Sequence, residues 1–107
     1  MALKKPTMTM KVFLHTRRPE NREGINQYAE FARIPVVGEY ISLPSSDEYW
    51  YKVVLVLHIP LTDETKESPP DHNVEVYAIG ADHLKVQEES GYFPKSQGFS
   101  FTSVEIS

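Results

Sequence analysis

The longest apolar run in the chain, Tyr49 to Ile59, lies between Pro44 and Pro60. Its branched and aromatic residues favour extended backbone, which makes it the expected central strand. Divided by the two-residue period of a strand, it has two unlike faces. Tyr49, Tyr51, Val53, Leu55, Leu57 and Ile59 form an unbroken apolar face, expected to be core. Trp50, Lys52, Val54, Val56 and His58 form a mixed face that a partner can reach.

The same pattern recurs on either side of this run. Thr7 to Thr16 sets Met8, Met10, Val12 and Leu14 against Thr9, Lys11, Phe13 and His15, a half-buried strand. Arg17 to Gly24 is polar with a proline and a glycine, and reads as an exposed loop. Ile25 to Arg33 fits two templates: Ile25, Tyr28, Ala29 and Ala32 share a helical face, yet the flanking breakers leave room for a short strand instead. Pro35 and Gly38 make a turn that launches a strand with Ile41 and Leu43 inward. The chain then turns at Pro44 to Glu48, and the central strand returns antiparallel. Residues 60–73 are polar, with Pro69, Pro70, Asp63, Glu64, Glu67 and Asp71, and form a long acidic loop. Val74 to Ile79 alternates again and is expected to pair with the central strand across that loop. Residues 81–107 are weakly patterned, with a possible final strand around Phe99 and Phe101.

These segments predict an all-β, mainly antiparallel domain spanning 1–107. A flat sheet of about five strands would leave one face and both edges uncovered, so the expected form is a small bent barrel with at most one short helix. The order Pro-x-x-Gly-Glu-x-Ile turn, hairpin, Trp-Tyr-Lys-Val-Val-x-Val-x-His strand and Val-Glu-Val-Tyr strand resembles small SH3-like barrels of uncharacterised bacterial proteins. The resemblance covers about Ile34 to Ile79. It implies a fold, and because such barrels host unrelated activities it implies no functional residue.

Composition narrows the function classes. A chain of 107 residues with 40% hydrophobic and 24% charged residues supports one globular core. The absence of cysteine excludes disulfides, thiolate nucleophiles and thiolate metal sites. The N-terminal Lys4 and Lys5 are not followed by a signal-peptide apolar region, and the central run is too short to span a bilayer, so a cytoplasmic protein without a membrane partner is expected. The net charge of −4 is uneven: seven of the eleven basic residues but only three of the fifteen acids precede Pro35. That asymmetry reads either as a basic patch or as two halves that neutralise each other in the fold. The overall acid excess favours the second.

Three candidate chemistries follow. Tyr40, Trp50, Lys52 and Tyr77 fall on strand faces opposite core positions and are the expected binding surface for a protein or peptide segment, with a homodimer through a strand edge as a related possibility. The plainer reading makes Trp50 and Tyr77 a second small core. Arg17, Arg18 and Arg22 are the one place for phosphate contact in a single-stranded nucleic-acid binder, a reading the acid excess opposes. His58, His72 and Asp71 supply the ligand types of a metal-assisted hydrolase if three side chains converge. No glycine-rich phosphate loop or serine elbow is present, so no cofactor and no catalytic nucleophile is implied. The leading expectation is a non-enzymatic binding or assembly module.

Overall fold

In the computed structural model, residues 8–44 and 48–93 are described. Five strands, β1 (Met10–Arg17), β2 (Ile25–Phe31), β3 (Tyr40–Ser42), β4 (Tyr49–His58) and β5 (Val74–Asp82), precede one short helix, α1 (His83–Glu89). They form a single sheet in the order β2-β1-β5-β4-β3. It is curled into a half-barrel, because strands from both ends of that order contribute to one core on its concave side. Val12, Leu14, Ile41, Tyr51, Val53, Val74, Val76 and Ala78 are buried there, with Ala29, Phe31, Ile34, Leu43, Tyr49 and Val56 packed around them.

The all-β expectation holds, as do the β3/β4 hairpin and the antiparallel β4/β5 pair across residues 60–73. One pairing differs from a mainly antiparallel sheet. β1 and β5 run parallel, with Leu14 beside Val76, so the sheet is mixed. The segment Ile25 to Arg33 resolves as a strand: Ile25, Gln27, Ala29 and Phe31 take the concave side because β1 offers seven consecutive antiparallel partners. The short helix lies instead within the weakly patterned stretch. Asp82 caps it, accepting from the backbone N–H of Leu84 at 2.8 Å and of Lys85 at 3.4 Å, and Val86 anchors it. The possible final strand near Phe99, and the tip of the β3/β4 turn at residues 45–47, lie outside the described residues.

The largest correction concerns the central strand. A bulge between Val53 and Leu55 inserts Val54 into the ladder, so alternation shifts by one position. Tyr51 and Val53 are buried as expected, but Leu55 and Leu57 turn outward, 51% and 44% exposed, and Val56 takes the inward place. The Pro35–Glu39 turn sits against this irregularity. Gly38, at φ +101°, donates its N–H to Val53 O at 2.9 Å, and Val53 N–H donates to Glu39 O at 2.8 Å. Glu39 is itself held by an ion pair with Arg33 and by the Val36 N–H, at 2.9 Å from its Oε1. The hydrogen bond from Arg33, then that from Val36, draws the Glu39 carboxyl down to about 2.

Candidate functional site on the convex face

The convex face gathers side chains that are far apart in sequence. The parallel register puts Phe13 beside Glu75 and His15 beside Tyr77, while the antiparallel one puts Asn26 beside His15 and Tyr28 beside Phe13. From β4, Leu57 lies beside Glu75, Leu55 beside Tyr77, Lys52 beside Ile79 and Trp50 beside Ala81. Tyr40 completes the row next to Lys52.

At its centre is Glu75, part-buried with 18% of its side chain exposed. His72 Nε2 donates to Oε2 at 2.7 Å, and His15 Nε2 and the Tyr77 hydroxyl donate to Oε1, each at 2.9 Å. The bond from His72 contributes most, then those from His15 and Tyr77, and together they hold the Glu75 carboxyl at about 2. The same contact raises the Tyr77 phenol, chiefly through the hydrogen bond to Glu75, so it remains a donor at neutral pH. The Asn26 amide meets His15 Nδ1 at 2.8 Å, and the imidazole stacks on Tyr77 with ring centres 4.2 Å apart. Phe13 stacks on His72 at 5.0 Å and meets Tyr28 at 4.9 Å, while Lys11 Nζ lies 4.5 Å over the Tyr28 ring. His72 Nδ1 is buried without a hydrogen-bond partner among the described residues.

Beside this cluster runs a groove of about 400 Å³ with Leu55, Tyr77 and Ile79 among its apolar walls and Arg17 and Arg22 on its rim. A carboxyl held near 2 is a weak proton acceptor at neutral pH, and here it serves to orient two imidazoles and a phenol. The arrangement suits recognition through rigid aromatic and aliphatic surface.

The expected binding residues Tyr40, Trp50, Lys52 and Tyr77 all fall on this face. Tyr40 is 40% exposed, and half-buried Trp50 approaches His83 of α1 with ring centres 5.7 Å apart. Of the three arginines, Arg17 and Arg22 line the same groove. Arg17 donates to the carbonyls of Arg18 and Pro19, and Arg18 lies 4.8 Å over the Tyr49 ring. Of the three expected metal ligands, His72 is directed at Glu75, His58 pairs with Val74 on the opposite side of the sheet, and Asp71 is exposed on the loop. Among the described residues no group of three acid or histidine side chains is placed to hold a metal ion.

Sequence reasoning missed His15, Glu75, Phe13 and the two leucines. The alternation of Phe13, His15, Glu75 and Tyr77 opposite core positions pointed to the polar cluster, whereas the leucines, expected in the core, had no such signal. No family model and no curated protein matches the sequence, and no solved structure matches the fold. No helix among the described residues is long and apolar enough to cross a membrane.

Proposed function

We propose that the protein is a non-enzymatic binding module whose convex face takes up an extended segment of another protein. The observation that carries this reading is the outward turn of Leu55 and Leu57 at the bulge. With Val54 and Tyr40, each at least 40% exposed, they place large apolar groups across the β4 side of the sheet. Apolar surface gathered in this way on a small domain marks an interaction site. Arg17 and Arg22 on the groove rim, with Lys52 nearby, specify a partner that combines apolar side chains at alternate positions with an acidic group.

The test is selection from a displayed library of random linear peptides against the native chain. Enriched peptides are expected to be extended, apolar and acidic. Leu55→Ser with Leu57→Ser, and separately Trp50→Ala, should weaken them at least tenfold, about 1.4 kcal/mol. Binding that survives both variants, or a library that yields no specific peptide, overturns the reading.

A further inference from the structure

β2 ends the sheet order, and among the described residues no strand covers its outer side. Every other residue of an edge strand directs its backbone N–H and C=O away from the sheet, and proteins usually guard such edges with shortness, proline, lysine or a bulge. The edge at β3 is guarded by shortness, since it is only 3 residues long. β2 has no proline, lysine or bulge, and its one charge is Glu30. It is 7 residues long, reads Ile-Asn-Gln-Tyr-Ala-Glu-Phe, and keeps an unbroken register with β1 from Ile25 to Phe31.

The residues of β2 are matched about its midpoint. We propose that β2 pairs antiparallel with β2 of a second copy of this chain across a two-fold axis at Tyr28, joining two half-barrels into one continuous sheet. In this register Ile25 lies opposite Phe31 of the second copy and Gln27 opposite Ala29, all on the concave side. On the convex side Asn26 lies opposite Glu30 and Tyr28 opposite itself. All seven residues are used, the two largest aliphatic and aromatic groups of the concave side meet, and the one charge of the strand faces an amide. Sliding the centre to Glu30 would set that carboxylate against its own copy and halve the overlap.

The neighbouring strand reinforces this register. Glu30 is paired by register with Lys11 and accepts from the Thr9 hydroxyl at 2.8 Å. Across the axis the convex side would therefore run His15, Asn26, Glu30 and Lys11, with no like charges in sequence. The middle row would be an aromatic ladder, Phe13 and Tyr28 continued by Tyr28 and Phe13 of the second copy. This surface lies at the end of the sheet remote from Tyr40 and Trp50, so self-association and peptide capture are separate properties with separate failures.

Sedimentation equilibrium of the native chain from micromolar to sub-millimolar concentration should give a mass of twice 12.3 kDa. Tyr28→Lys opposes like charges at the axis and should weaken association at least tenfold, whereas Tyr28→Phe should retain it. The cysteine-free sequence permits a register test. Tyr28→Cys should form a disulfide-linked dimer on mild oxidation. Asn26→Cys alone and Glu30→Cys alone should not, because each would lie four residues, roughly 13 Å, from its own copy. An equimolar mixture of those two variants should cross-link. A native chain that stays monomeric overturns the proposal. So does a dimer in which Tyr28→Cys fails to cross-link, since association would then belong to another surface.

Discussion

Replacing Leu55 by alanine separates a shifted β4 from one that alternates without interruption. In unbroken alternation Leu55 follows Tyr51 and Val53 into the core, and its truncation would cost roughly 2–5 kcal/mol, the range for buried leucines. The bulge instead leaves the side chain 51% exposed. About half of the roughly 1.5–3 kcal/mol available from burying a leucine then remains to be lost, about 1 kcal/mol. Leu14, with 0% exposure, is the internal standard and should fall in the full range. Val56→Ala should be felt in the core, because Val56 has taken the inward position. The assay is urea unfolding at neutral pH followed by Trp50 fluorescence, comparing midpoints at constant m-value. If Leu55→Ala costs as much as Leu14→Ala while Val56→Ala is silent, the bulge is misplaced and the apolar strip on the convex face disappears with it.

Two further outcomes follow from the geometry. The folded Glu75 carboxyl, at about 2, lies below its ordinary 4.5, so between those values the unfolded chain binds a proton that the folded chain does not. Its contribution is complete above about 4.5 and is lost as pH falls towards 2. Glu75→Gln should therefore flatten the acid limb of a midpoint-against-pH plot by up to one bound proton, and a plot parallel to that of the native chain would refute the hydrogen-bonded cluster. At Gly24 an added Cβ would sit 2.0 Å from the Thr16 carbonyl oxygen, so Gly24→Ala should destabilise by roughly 1–3 kcal/mol, read as a lower melting temperature.

How much of this was legible in the residues differs from strand to strand. β1 and β5 announce themselves because one side of each is apolar and the other mixed, leaving one workable orientation. β4 does not, because past Val53 both of its sides are apolar: Val54, Val56, Leu55 and Leu57 satisfy either register. What selects the register is the Pro35–Glu39 turn, whose backbone occupies both hydrogen-bonding groups of Val53. That contact is tertiary and leaves no periodic trace. β2 is ambiguous for another reason. Ile25, Tyr28, Ala29 and Ala32 have helical spacing, while Ile25, Gln27, Ala29 and Phe31 are the concave side of a strand, and only the presence of β1 decides. The capped helix, by contrast, was written in Asp82 ahead of a His-Leu-Lys-Val-Gln-Glu-Glu run, a start signal lost in a stretch whose only aliphatics are Leu84 and Val86.

The site depends on the feature least visible in sequence, the parallel contact of β1 with β5. It brings His15 to a carboxylate 60 residues away, and local alternation says nothing about which non-consecutive strands meet. Once they do, Glu75 accepts three hydrogen bonds that stabilise its carboxylate. The β1/β5 half of the face is therefore a hydrogen-bonded, ring-stacked wall, while on the β4 half Leu55 and Leu57 lie open. Tyr77 belongs to both halves: its hydroxyl is tied to Glu75, its ring stacks on His15, and its register partner is Leu55. The physical consequence is that the polar cluster fixes the Tyr77 ring beside Leu55, and the bulge is what turns Leu55 and Leu57 outward to form an apolar surface there.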